Sequence, residues 1–328
     1  MQVKVYGRTD VGLVRPGNED FLHIDGANRV YAVCDGMGGH QAGEVASMTA
    51  GQTIRQTFSH FSNAILADPE LKLGRTLPPS GDLLVKAIRL ANRAIYNRAL
   101  SQPETSGMGT TVVAVALESD LMSIAHVGDS RAYRLNANSL EPLTRDHSWI
   151  QEIADSQNIS EEEAGSVVGK NVITRALGVK DGVAVDYRLL RVKPGEQFIL
   201  CSDGLCGFAD DDEIFDVARQ YHENLQKLVD ALIQMANDRG GSDNVTVLAL
   251  EISGVTESPL PEVEVFTVSP EDEAVQAAED RWLERLESDQ VEEPPAESGK
   301  STSKAVLLAI FIAFIVIAIV VIWLLPKP

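Results

Sequence analysis

Apolar residues along this chain follow two periods. Short runs rich in β-branched side chains fall at 30–34, 111–117, 121–127, 197–201 and 245–250, each bounded by turn residues, and read as strands. Glu118-Ser119-Asp120 separates the second and third runs at a hairpin spacing. Gly128-Asp129-Ser130 then leads into Ala132-Tyr133-Arg134-Leu135, so an antiparallel meander is expected there. The helical period is equally clear. Leu84, Ala87, Ile88, Ala91 and Ile95 share one helix face, as do Leu225, Leu228, Val229, Leu232 and Ala236 before Asn237-Asp238-Arg239-Gly240-Gly241. Ala42, Val45, Ala46 and Ala50 begin another helix. Strands in consecutive pairs with helices between the pairs favour antiparallel sheets covered by helices over a doubly wound parallel sheet.

Residues 147–177 form a polar excursion with two short helical signals, one opened by a capping box with Ser160 at N-cap and Glu163 at N3, and read as a flap. From 254 to 303 the chain is rich in Pro and Glu and reads as a linker. Inside it, Ser269-Pro270-Glu271 can start a helix over 270–288 whose Val275, Ala278, Trp282 and Leu286 share a face. That segment is either a short docking helix or a transient one in a disordered tether. Residues 305–325 carry no charge and, at about 1.5 Å per residue, reach roughly 30 Å, the thickness of a bilayer's hydrocarbon core. A membrane span is expected there, with Lys300 and Lys304 before it. No secretory signal opens the sequence, so the expectation is a single-pass anchor in the cytoplasmic membrane with the globular part, residues 1–253, in the cytosol.

Charge narrows the field. Lys and Arg number 28 against 48 Asp and Glu, a net charge of -20, which argues against a nucleic-acid partner. Residues 254–303 hold fourteen of the acids and three basic residues (Arg281, Arg285 and Lys300), so about half of the excess sits in the linker. The three cysteines, Cys34, Cys201 and Cys206, are too few for a disulfide framework.

The remaining acids are placed unusually. Asn18-Glu19-Asp20, Asp35-Gly36-Met37-Gly38-Gly39-His40, Gly128-Asp129-Ser130-Arg131, Ser202-Asp203-Gly204 and Asp243-Asn244-Val245 each put an aspartate in a turn beside a strand. Each alone could be a turn or cap residue. Together they look like oxygen ligands for hard cations such as Mg²⁺ or Mn²⁺, and six histidines without ligand spacing disfavour zinc. Two such ions can polarise a water and neutralise a phosphoryl group. Arg15, five residues before Asp20, offers a planar fork for phosphate.

Read in order, Gly12-Leu13-Val14-Arg15-Pro16-Gly17-Asn18-Glu19-Asp20, Asp35-Gly36-Met37-Gly38-Gly39-His40, Gly107-Met108-Gly109-Thr110-Thr111, Gly128-Asp129-Ser130-Arg131, Cys201-Ser202-Asp203-Gly204-Leu205 and Ser242-Asp243-Asn244-Val245-Thr246 make residues 1–253 resemble the bacterial branch of the metal-dependent serine/threonine protein phosphatases of type 2C. The resemblance implies an α+β fold, a four-layer α/β/β/α sandwich of two antiparallel β-sheets flanked by helices. It implies hydrolysis of phosphoserine and phosphothreonine in proteins by direct attack of a metal-bridging water, opposing a Ser/Thr protein kinase. By position, Asp35 matches the carboxylate that bridges two Mn²⁺ or Mg²⁺ ions, and Gly36 the residue lending a carbonyl. Asp203 and Asp243 match the residues that complete the other metal's shell. Asp129 and Asp203 match the ligands of a third ion, Asp20 an acid acting through water, and Arg15 the phosphate-binding arginine. One departure stands out: Met37 occupies the place of the histidine that eukaryotic members use to protonate the leaving group, and His40 is not in register to replace it. A water of the metal site is the expected proton source. The rival reading is a membrane-tethered sensor module with weak catalysis.

Overall fold

Unbroken apolar runs mark strands buried on both faces, and side-chain alternation shows what covers each face. The structure, a computed structural model, describes residues 1–39, 41–165, 172–256, 263–269 and 273–289. Its strands are β1 (Gln2–Asp10), β2 (Asp20–Asp25), β3 (Val30–Met37), β4 (Gly109–Thr110), β5 (Val112–Glu118), β6 (Leu121–Val127), β7 (Arg131–Leu135), β8 (Leu140–Pro142), β9 (Val185–Arg191), β10 (Gln197–Cys201), β11 (Val245–Gly254) and β12 (Val263–Val268). Its α-helices are α1 (Ala42–Ser59), α2 (Ser62–Ala67), α3 (Pro79–Ser101), α4 (Trp149–Gln157), α5 (Glu161–Gly165), α6 (Asp203–Cys206), α7 (Asp211–Tyr221), α8 (Leu225–Asp238) and α9 (Glu273–Asp289).

Every strand pairing is antiparallel. One sheet runs β1-β11-β10-β7-β8 and the other β12-β9-β6-β5-β3-β2, with β4 on β3. Three apolar layers result. Tyr31, Val33, Val113, Val115, Phe198, Leu200, Leu248 and Leu250 meet between the sheets. The alternate residues Val30, Ala32, Val112 and Ala114 face outward onto α1 and α3. Ile199, Cys201, Val247 and Ala249 face α7 and α8. The two-sheet, helix-covered architecture expected from the strand pairing is therefore present.

Two expectations change. The meander ends at Val127: β7 leaves β6 and joins the opposite sheet, paired with β10 and β8. Gly128, at φ 108, makes that crossover, which hangs Asp129 between the two sheets. The linker expected from 254 is also partly folded. β12 adds an edge strand beside β9, and the folded unit extends to Leu286. Ala278, Trp282, Leu283 and Leu286 of α9 are buried in the layer with α1 and α3. Trp282 Nε1 donates to Asp68 Oδ2 at 2.7 Å, and Asp280 takes both Arg93 Nε and Nη2 at 2.7 Å. Acidic composition hid this because the helix buries an apolar stripe among its acids, one of which, Glu279, is itself buried. Among the described residues no helix is long and apolar enough to cross a membrane; the expected span, 305–325, lies outside them, as do His40 and the 290–303 part of the linker.

Candidate active site

Antiparallel pairing brings the predicted residues to one end of the sandwich. Asp20 opens β2 directly opposite Asp35 on β3. Asp203 begins α6 just after β10, and Asp243 precedes β11, the neighbour of β10. Arg15, Asp35, Gly36, Asp203 and Asp243 line one cleft of about 490 Å³, together with Glu19, Met37, Val172, Ile173 and Asn244. Asp20 and Asp129 are buried beside it, at 9% and 7% exposure.

Backbone and hydroxyl contacts hold the acids in place. The Asp35 carbonyl accepts from Thr111 N and Thr110 Oγ1, both at 2.8 Å, and Asp35 N donates to Thr111 Oγ1 at 3.1 Å. Thr111 Oγ1 lies 2.7 Å from Ser130 Oγ, tying Asp35 to the Asp129 crossover. Gly36 N donates to Glu19 O at 3.0 Å, and a Cβ on Gly36 would stand 2.1 Å from Gly43 O, so α1 can begin against β3 only if that residue is glycine. Gly204 is under the same constraint, since a Cβ there would stand 1.9 Å from Asn244 O. The Ser202 hydroxyl donates to Asp20 Oδ2 at 2.8 Å and accepts from Thr246 N at 3.0 Å. Arg15 Nη2 pairs with Asp243 Oδ2 at 2.9 Å, and Arg15 Nε donates to Ser242 O at 3.3 Å.

Asn244 escaped the sequence reading of roles although its tripeptide stood out. Its Oδ1 accepts from Glu19 N at 2.8 Å, and its Nδ2 donates to Val11 O at 3.0 Å and Gly17 O at 2.9 Å. One amide thus pins both ends of the loop that presents Arg15. Glu19 was likewise given no role, yet it lines the cleft.

The carboxylates burden one another. Burial, then the charges of Asp20 and Asp203, push Asp35 well above the usual carboxylate range. Burial, opposed by hydrogen bonds from Thr246 and Ser202 and reinforced by Asp203 and Asp243, raises Asp20 to about 7. Asp129 is raised to about 7 by burial, with Asp203 and Asp146 adding to it. Asp203 is raised chiefly by burial. Asp20 Oδ1, Asp129 Oδ1 and Glu19 Oε1 are buried acceptors without a hydrogen-bond partner among the described residues. Such an array is costly unless cations meet it. Oxygen donors with no histidine or cysteine on the cleft wall among the described residues suit a hard divalent ion. The residues present therefore fit the metals that the sequence pattern implied.

A second group emerges that spacing did not reveal: His126, His147 and Asp186 bring ligand-type atoms within 4.8 Å. One atom of each is engaged elsewhere, while His147 Nε2 is buried without a hydrogen-bond partner among the described residues, 3.2 Å from Asp186 Oδ2. His126 Nε2 contacts Arg145 O at 2.8 Å, His147 Nδ1 accepts from Gly128 N at 3.0 Å, and Asp186 Oδ1 accepts from Arg175 at 2.7 Å.

Residues 16–245 match the family described as protein phosphatase 2C. The chain is 37% identical over 248 residues to the serine/threonine phosphatase stp of Listeria welshimeri, covering 74% of this chain and 94% of that protein. It is also 37% identical over 248 residues to the serine/threonine protein phosphatase PstP of Mycobacterium tuberculosis, covering 75% of this chain and 44% of PstP. Among solved structures, Stp1 from Staphylococcus aureus superposes with a TM-score of 0.68 at 31% identity, over 77% of this chain and 96% of that one. The catalytic domain of PstP in complex with two manganese ions does so with a TM-score of 0.63 at 30% identity, over 77% and 99%.

Proposed function

The chain belongs to the protein phosphatase 2C family and is a protein serine/threonine phosphatase, and from that premise we propose that its cleft hydrolyses phosphoserine and phosphothreonine with divalent cations held by Asp35, Gly36, Asp203 and Asp243. A third ion is assigned to Asp129 and Asp203. One observation carries this reading: buried aspartates converge on the cleft, four of them raised in pKa by burial and by neighbouring acids, with acceptor oxygens left unpaired. Mn²⁺ or Mg²⁺ bound there would supply a polarised water and neutralise charge on the phosphoryl oxygens.

The chain's own groups do the rest. Arg15, held at the rim by Ser242 and Asp243, binds the phosphate through its guanidinium. Ser202 and Thr246 hold Asp20 beneath Asp35. Met37 lines the cleft and has no proton to give, so the leaving oxygen takes its proton from water. Among the described residues no thiol lines the cleft, in keeping with direct hydrolysis rather than a phosphoenzyme. Phosphorylated proteins are the substrates, and the enzyme opposes the Ser/Thr kinase that makes them. The uncharged stretch 305–325 tethers it to the cytoplasmic membrane.

Hydrolysis of a phosphothreonine peptide by the full chain tests the first part: activity with Mn²⁺ should vanish on chelation and in Asp35→Ala. Turnover that survives either would overturn the reading. For the tether, the full chain should sediment with membranes and a chain ending at 303 should not; equal distribution would refute it.

A further inference from the structure

The chain from Arg145 to Leu177 leaves and rejoins the sandwich beside the Asp129 crossover, and three hydrogen-bonding groups meet where it does. On the outgoing stem, His147 clasps the crossover twice: Gly128 N donates to His147 Nδ1 and His147 N donates to Gly128 O, both at 3.0 Å. Because Nδ1 accepts, the ring proton sits on Nε2, which is buried, makes no hydrogen bond among the described residues and stands 3.2 Å from Asp186 Oδ2, an ion-pair distance. On the returning stem, Arg175 Nη1 reaches Asp186 Oδ1 at 2.7 Å, and Thr267 Oγ1 donates to the same oxygen at 2.9 Å. The stems also join directly, through Thr174 N to His147 O at 2.8 Å and Trp149 N to Val172 O at 2.9 Å. Asp186 lies on β9 directly opposite His126 on β6, whose ring stacks on His147 with centroids 4.8 Å apart. Val172 and Ile173, on the returning stem, line the cleft.

We propose that Asp186 is a positioning residue: through His147 and Arg175 it locks the Gly128-Asp129 crossover and both stems of the flap into one unit. A carboxylate 3.2 Å from Nε2 and a peptide N–H donating to Nδ1 bracket the imidazole and favour one ring orientation, where apolar packing would tolerate several. His147 is 7% exposed, so a broken link would strand a buried polar group rather than expose it to water. The consequence reaches the chemistry from two sides, since the crossover carries Asp129 and the returning stem supplies part of the cleft wall. Its bearing on cation uptake rests on the reading of Asp129 as a ligand. The mechanical unit itself does not.

Hydrogen exchange of the full chain in chelator tests the unit without any metal. In Asp186→Asn, peptides covering 126–131 and those covering 147–149 and 172–175 should exchange together, at least about tenfold faster than wild type, while β10 stays protected. Unchanged exchange at the crossover, or faster exchange confined to β9, would overturn the proposal. His147→Asn keeps an acceptor for Gly128 N but cannot reach Asp186. In that background, adding Asp186→Asn should change crossover exchange less than about twofold, and a full effect there would refute the route through His147. Should Asp186→Asn lose protection throughout, Arg175→Gln replaces it: the returning stem alone should loosen, and an unchanged stem would count against the link. Calorimetry with Mn²⁺ separates the two readings. Asp186→Asn should weaken, about tenfold, the uptake step that Asp129→Asn abolishes. If Asp129→Asn abolishes no step, its role as a ligand fails and the exchange data alone decide the unit.

Discussion

Replacing Asp129 with asparagine in the metal-free protein removes a charge the fold does not compensate, and it should stabilise the protein. The carboxyl is raised from its ordinary 3.8 to about 7 by burial and by Asp203 and Asp146. Between those pH values the folded state keeps a proton that the unfolded chain has released, so stability falls as pH rises through about 7 and is fully restored only below 3.8. The difference, 7 minus 3.8, is about 3 pH units, or about 4 kcal/mol at 1.36 kcal/mol per unit. Relaxation and a higher effective dielectric reduce this to about 2 kcal/mol. At roughly 2–4 °C per kcal/mol, the variant should melt about 4–8 °C above wild type in chelator at pH 8. The gap should shrink steadily toward pH 5. Saturating Mn²⁺ should reverse the order, because an ion at a hundred times its Kd adds about 2.7 kcal/mol to a protein that binds it. Differential scanning calorimetry across pH, with and without Mn²⁺, reads all three. A variant that melts at or below wild type in chelator at pH 8, or that keeps the full Mn²⁺ gain, would refute the reasoning.

Further outcomes follow from single contacts. Arg15→Ala should raise the KM for a phosphothreonine peptide about tenfold or more, since charge-assisted hydrogen bonds are worth about 1.5–3 kcal/mol, and an unchanged KM would remove Arg15 from the phosphate site. Gly36→Ala puts a Cβ 2.1 Å from Gly43 O, so the start of α1 must shift; thermal melting should show a loss of about 1–3 kcal/mol and Mn²⁺ titration a weaker uptake, with wild-type behaviour in both contradicting the packing argument. Trp282→Ala deletes a side chain that is 4% exposed and edged against Phe61, and urea unfolding should show about 3–5 kcal/mol lost. A midpoint equal to wild type would mean that α9 is not part of the folded unit.

The elements legible in the sequence were those whose pattern is local. β10 matches its run, 197–201, residue for residue, because both faces of that strand are buried and only Gln197, at its start, is polar. β3 runs on to Met37, past the run 30–34, because Gly36 and Met37 continue pairing with β4 through residues that look like a turn. β1 escaped notice: it lies at a sheet edge, half exposed, and its alternation is weak. Nothing local could show that β7 changes sheets, since the choice rests on pairing with β10, far along the chain. The acids of the site were legible because the chemistry demands those side chains. Thr110, Thr111 and Asn244 act through hydrogen bonds to backbone, and His147 meets Asp186 only after folding, so their tasks depend on geometry that composition does not carry.

Anomalous scattering from crystals of the protein soaked in Mn²⁺ would test the metal centre most directly. Peaks are expected in the cleft, in contact with the Asp35 carboxylate and the Gly36 carbonyl and within reach of Asp203 and Asp243. A cleft without a peak, or a sole peak beside His126, His147 and Asp186, would contradict it.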